Sequence, residues 1–174
     1  MRHLLDRIYL TAAWISAFMI LAIAILISAQ IFLNFMTRVF DAPLPSTIPS
    51  YADFSGFMLA ASTFLAMPYT FRSGGHIKVS LITARLPRAA QLWAEIAALG
   101  AAAFLTGFAV YFIGVLIAES IHYGDVSNGS VPIPLWIPQS TMGVGMALLC
   151  LAIVDSLFQT IARREPVIAA SEEA

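Results

Sequence analysis

Residues 11–36 read TAAWISAFMILAIAILISAQIFLNFM, an apolar run without a single ionised side chain. A helix that crosses a bilayer needs about 20 mostly apolar residues, and this run exceeds that length. It is also far longer than the roughly 7–15 residues of a signal-peptide core, so an uncleaved spanning helix is expected despite Arg2 and Arg7 ahead of it. Three further runs of the same kind follow, at about 51–71, 89–120 and 134–161. The chain of 174 residues is 60% hydrophobic and only 11% charged, against about 25% charged in an ordinary soluble domain. The expected fold class is therefore an all-α integral membrane protein: one four-helix transmembrane domain over 1–165, and a flexible tail over 166–174.

Lys and Arg set the orientation of such a protein, because they are enriched on the cytoplasmic side. Arg2, Arg7, Arg72, Lys78, Arg85, Arg88, Arg163 and Arg164 fall on one side of the four runs, and Arg38 alone falls on the other. Both termini and the middle connection are thus expected in the cytoplasm. That connection, RSGGHIKVSLITARLPR at 72–88, opens with glycines that permit a sharp exit from the second helix. Its apolar positions from Val79 onward, flanked by Lys78 and Arg85, predict a short interfacial helix between helices 2 and 3 that Pro87 ends. His76 beside the glycines reads as a hydrogen-bonding residue or, less simply, a ligand.

Charges inside a span are costly and point to function or to partner contact. Here they lie near span ends: Asp53 opens the second helix, where the helix dipole favours an anion, Glu95 starts the third, and Asp155 sits near the end of the fourth, within reach of arginines on that side. Gln30, Asn34 and Arg38 recur every four residues and form one polar stripe on the first helix. The expected partner of Arg38 is Asp53, across a loop stiffened by Pro43, Pro45 and Pro49; the alternative is a contact of Arg38 with a partner protein or a lipid headgroup. The third run carries AALGAAAFLTGF, whose Ala97, Gly100, Ala101, Ala103 and Gly107 allow close backbone approach, so this helix is expected to pack tightly against another helix, in this chain or in a partner. Trp14, Trp93 and Trp136 lie near span ends, as interfacial aromatic belts do. The lone Cys150 sits in an apolar run and reads as a small core residue. The net charge of −1 suggests no nucleic-acid partner.

The segments FLNFMTRVF (32–40), GGHIKV (74–79) and ESIHYGDVSNGSVPIPLWIPQSTMGVG (119–145) together resemble the small membrane subunit of tripartite ATP-independent periplasmic (TRAP) transporters, of the dicarboxylate-transporter type. The resemblance rests on Gln30 and Arg38 in the first helix, Asp53 opening the second, the Gly75–His76–Ile77–Lys78–Val79 segment, Glu119 ending the third helix, and Ile133, Pro134 and Trp136 opening the fourth. Two positions depart from the family pattern: Ser80 stands where an acid is frequent, and Asp53 is the only acid opening the second helix. The resemblance implies a multi-pass protein of the bacterial inner membrane. It implies a non-enzymatic scaffold, without cofactor, that supports a large multi-span permease subunit. That subunit would take up an organic acid by sodium symport from a periplasmic substrate-binding protein. Reading the residues alone agrees that four short-looped helices, without internal repeat or broken mid-membrane helices, make a poor alternating-access transporter. The alternative is a four-helix membrane anchor of a redox complex, although His3, His76 and His122 all lie outside the spans or at their ends, where they would serve haem poorly. An intramembrane enzyme lacks a nucleophile–base or His-Glu-x-x-His pattern, and a small multidrug-type exporter would want a mid-membrane acid.

Overall fold

The structure of the protein, a computed structural model, describes residues 2–40, 43–74 and 87–163. It is all-helical, with α1 at Arg2–Val39, α2 at Tyr51–Arg72, α3 at Arg88–Tyr123 and α4 at Trp136–Arg163. All four are long and apolar enough to cross a membrane. The physical reason is that hydrocarbon offers no partner to a backbone N–H or C=O, so each apolar run must satisfy its own backbone. Hydroxyls inside the helices follow the same rule. Thr70, Thr106 and Thr160 each donate to the carbonyl four residues back, at 3.0, 2.7 and 3.0 Å, which removes the penalty of a free hydroxyl in an apolar setting.

α1 outruns its apolar core. α1 begins at Arg2 rather than near 11, and its 38 residues make it about 57 Å long. Hydropathy marks what suits hydrocarbon, whereas the helix continues for as long as the backbone bonds do. In the other direction, Pro134 does not open α4. It forms an isolated antiparallel bridge with Val126, and the helix starts two residues later at Trp136.

The helix ends have local causes. Gly74 leaves α2 at φ +72°, a conformation that suits glycine because it has no Cβ. Gly124 does the same after α3 at φ +68°, and the next amide, of Asp125, bonds back to the Ser120 carbonyl at 3.1 Å. Ser50, ahead of α2, adopts a left-handed φ of 54° although it is not glycine. The expected interfacial helix, and with it Gly75, His76 and Lys78, lies outside the described residues, as does the tail from 164 on.

The helices pack in the spatial order α1–α2–α4–α3. α4, the last in sequence, lies between α2 and α3. Leu99 of α3 and Leu149 and Ile153 of α4 form the core where these helices meet, with Met67 and Phe71 of α2 packed against them. Between α1 and α2, the buried Ser16 hydroxyl donates to the Ser62 carbonyl at 2.7 Å.

The tightest approach is between α2 and α4. A Cβ added at Gly145 would fall 2.5 Å from both the carbonyl carbon and the oxygen of Phe64. Pro68, buried inside α2, explains why that carbonyl is available. It is the residue whose N–H would bond Phe64 in a regular helix, and proline has none. Two residues earlier, on the opposite face of α4, a Cβ at Gly143 would meet Ile113 and Ile117 of α3 at 3.2 and 3.3 Å. The close approaches thus belong to the Gly-Val-Gly of α4 and not to the small-residue stripe of α3: Gly100 faces open space, and Gly107 reaches only Cys150 Sγ at 4.0 Å.

Large apolar side chains remain exposed on α1 and α3. Phe104, Phe108 and Phe112 form a ridge on α3, with successive ring centroids 6.5 and 4.5 Å apart. Apolar surface on this scale marks a membrane or protein contact.

Candidate functional site

The polar side chains gather at the two ends of the helical row. At the first end lie the start of α1 and the close of α2 and α4. Arg72 of α2 donates through Nη1 to Asp155 Oδ2 at 2.9 Å and through Nη2 to Asp6 Oδ1 at 3.1 Å. One guanidinium thus joins three helices, and its planar fork suits two separate carboxylates. Gln159 Nε2 adds a bond to the same Asp155 oxygen at 2.6 Å. Asp155 and Gln159 are four residues apart and share a helix face. The pair with Asp6, which is half exposed, is the weaker because solvent screens it. Tyr9 is buried beside this group, and its hydroxyl has no hydrogen-bond partner among the described residues. The expectation that Asp155 meets an arginine of its own side holds, with Arg72 as that arginine.

At the second end lie the loops after α1 and α3. Gln30 is buried on α1, and its amide clamps the first loop: Nε2 donates to the Ser46 carbonyl at 3.3 Å, and Oε1 accepts from the Ile48 amide at 2.7 Å. Ser50 ties the two loops together by accepting from the Val131 amide at 2.8 Å. The third loop closes on itself. Ser120 donates to Asp125 Oδ2 at 3.1 Å, the Ser127 amide to the Ile133 carbonyl at 2.9 Å, and the Leu135 amide to the Asp125 carbonyl at 3.0 Å.

The expected Arg38–Asp53 ion pair is not formed. Arg38 makes no hydrogen bond or ion pair with a described residue. Asp53 turns instead towards the third loop, where its Oδ2 occupies the space that a Cβ at Gly129 would need, with Ser50 Oγ 2.5 Å from the same point. The reason is the first loop. Gln30 draws residues 46–48 onto α1, and Ser50 draws the start of α2 towards Val131, so Asp53 faces the loop and not Arg38.

Gln30, Asn34 and Arg38 do share a face, and it lines a groove of about 470 Å³ with Ile27, Ile31, Phe35 and Tyr51. Glu119 lies exposed on the last turn of α3 and bonds to no described residue; its neighbour Ser120, buried, makes the bond that orders the loop. Pro134 sits in the bridge with Val126, and Trp136 begins α4 and is exposed. The stretches around Ser50, Ser120, Asp125 and Arg72 carry more of the polar structure than the sequence suggested. Opposite charges at the same end of antiparallel helices are the signal that points to Asp6, Arg72 and Asp155.

Four apolar helices with polar networks at both ends define a multi-pass membrane protein. Residues 27–163 match the family model described as "Tripartite ATP-independent periplasmic transporters, DctQ component". The match covers well over half of the chain, and the protein belongs to that family, the small permease subunits of TRAP transporters. Neither the curated proteins nor the solved structures yielded a match.

Proposed function

We propose that this chain is the non-catalytic scaffold subunit of a TRAP transporter. It holds a large multi-span permease subunit in the bacterial inner membrane, with both termini and the connection after α2 in the cytoplasm. The large subunit carries out sodium-driven symport of an organic acid handed over by a periplasmic binding protein. The observation that supports this reading is where the ionisable groups lie. Asp6, Arg72 and Asp155 bond one another at the first end, and Arg38, Asp53, Glu119 and Asp125 belong to the second. Between them, α1 from Ile8 to Thr37 carries no charge, and the apolar core of Leu99, Leu149 and Ile153 begins directly beside the first end, next to Phe71. A path for a proton, sodium ion or carboxylate would need polar groups at mid-depth. The exposed apolar faces of α1 and α3 are suited to a partner in the membrane.

Vesicles reconstituted with this chain alone test the proposal. Expected is no sodium-driven uptake of organic acids, with uptake appearing once a large permease subunit and a binding protein are added. Robust uptake by the chain alone would overturn it.

A further inference from the structure

The groove on α1 has two chemical halves. Its head is Arg38, the penultimate residue of the helix, exposed and without a hydrogen-bonding or charged partner among the described residues. Asn34 lies one turn below it, and Tyr51 of α2 faces it from the side. Its lower part is walled by Phe35, Ile31 and Ile27. Each feature has a bland reading alone: a surface arginine is usually solvated, and an apolar helix face in a membrane simply meets lipid. Together they describe a bipolar ligand, anionic at one end and apolar at the other, in a fixed orientation.

Depth chooses the ligand. Arg38 closes the apolar run of α1, which puts it at the water–hydrocarbon boundary of the leaflet at the second end. From Arg38 down to Ile27 the helix rises about 16 Å. Half of a hydrocarbon core of about 30 Å is about 15 Å. The groove therefore matches the depth of one leaflet, as one acyl chain does. A guanidinium donates two parallel N–H bonds to the oxygens of a phosphodiester, and Asn34 and Tyr51 add donors beside it. Gln30, the remaining polar side chain of the stripe, is already committed to the first loop, so it leaves no unsatisfied amide among the tails.

We propose that this groove seats one glycerophospholipid, with its phosphodiester on the Arg38 guanidinium and one acyl chain along Phe35, Ile31 and Ile27. The lipid completes the outer surface of α1 and neutralises the Arg38 charge, which no described residue pairs. The site selects for the phosphate rather than for the headgroup beyond it.

Native mass spectrometry tests this on the full chain, purified together with any subunit that accompanies it from the membrane. The probes are dioleoyl phosphatidylglycerol, dioleoylglycerol, which lacks the phosphate, and glycerol 1-phosphate, which lacks the tails. Expected is one phosphatidylglycerol retained per chain. Retention should weaken about ten-fold in Arg38→Gln and persist in Arg38→Lys. Dioleoylglycerol should bind the unaltered protein about ten-fold more weakly than phosphatidylglycerol does, a comparison that needs no variant to fold. Equal retention of dioleoylglycerol and phosphatidylglycerol would overturn the proposal, as would retention unaffected by Arg38→Gln. Tight binding of glycerol 1-phosphate would make Arg38 a plain anion site. A photo-crosslinker at Phe35 that captures a protein and no lipid would give the groove to a partner subunit.

Discussion

Arg72 and Asp155 meet at 2.9 Å, and through them the end of α2 is fixed to the last turns of α4. The two groups are partly buried, with side-chain exposures of 23% and 27%, so removing one leaves the other in a poor solvent for a charge. Arg72→Ala and Asp155→Asn are each expected to lower stability by about 1–3 kcal/mol, between the values for exposed and buried pairs. The double change should cost less than the sum of the two. Unfolding in mixed detergent micelles measures all three, and additive losses would mean that the pair contributes nothing of its own. Asp6→Asn should cost less than Asp155→Asn, because Asp6 is half exposed.

Gly145→Ala should disturb the α2–α4 contact. The added methyl falls against the Phe64 backbone, which cannot rotate away as a side chain would, and overpacking of this kind costs about 1–3 kcal/mol. Gly100→Ala, facing open space in the described structure, serves as the control and should leave stability unchanged in the isolated chain. If the two variants melt together, the close approach has no energetic weight.

Gly129 offers a reversal test. A Cβ there collides with the Asp53 carboxylate, a side chain that can swing aside, so Gly129→Ala should cost only about 1 kcal/mol. Asp53→Ala should relieve part of the collision and lower the cost of Gly129→Ala, the remainder being set by Ser50 Oγ, 2.5 Å from the same point. A full penalty in the Asp53→Ala background would show that the two loops are not held as described.

The first loop is expected to loosen in Gln30→Leu, which frees the Ile48 amide and the Ser46 carbonyl. The loss is about 1–2 kcal/mol for two hydrogen bonds, and the readout is faster hydrogen exchange at Ile48. Arg38→Ala should leave that exchange rate unchanged, since Arg38 does not hold the loop.

Orientation is open to cysteine labelling at Ser73 and Ser127 after Cys150 has been replaced. An impermeant reagent added outside cells should label Ser127→Cys and spare Ser73→Cys. Labelling of Ser73→Cys from outside would invert the arrangement.

What the sequence made legible follows a physical division. The four helices could be read because hydrocarbon compatibility is a property of consecutive residues, as in 11–36. Gln30 could be singled out because residues at spacing four share a helix face, yet its partners are backbone groups of Ser46 and Ile48, which leave no trace in a side-chain pattern. The Arg38–Asp53 pairing failed because opposite charge near the same interface does not say how a loop turns. Here Ser50 and Val131, far apart in sequence, decide that. The α3 stripe was legible in part: Ala103 packs against the core shared with α4, whereas a Cβ at Gly100 would meet nothing within 4 Å, because the order of helices decides which small residues find a neighbour in this chain.

That order also fixes when the fold can close. Synthesis delivers α3 before α4, but the extensive packing of α3 is with α4 alone. Until the last 28-residue helix arrives, the nascent protein consists of an α1–α2 hairpin and a solitary third span, with the Phe64 carbonyl that Pro68 left without a donor still uncovered. α4 is the keystone: a chain interrupted ahead of Gly145 would have three inserted helices without the helix that packs extensively against both α2 and α3.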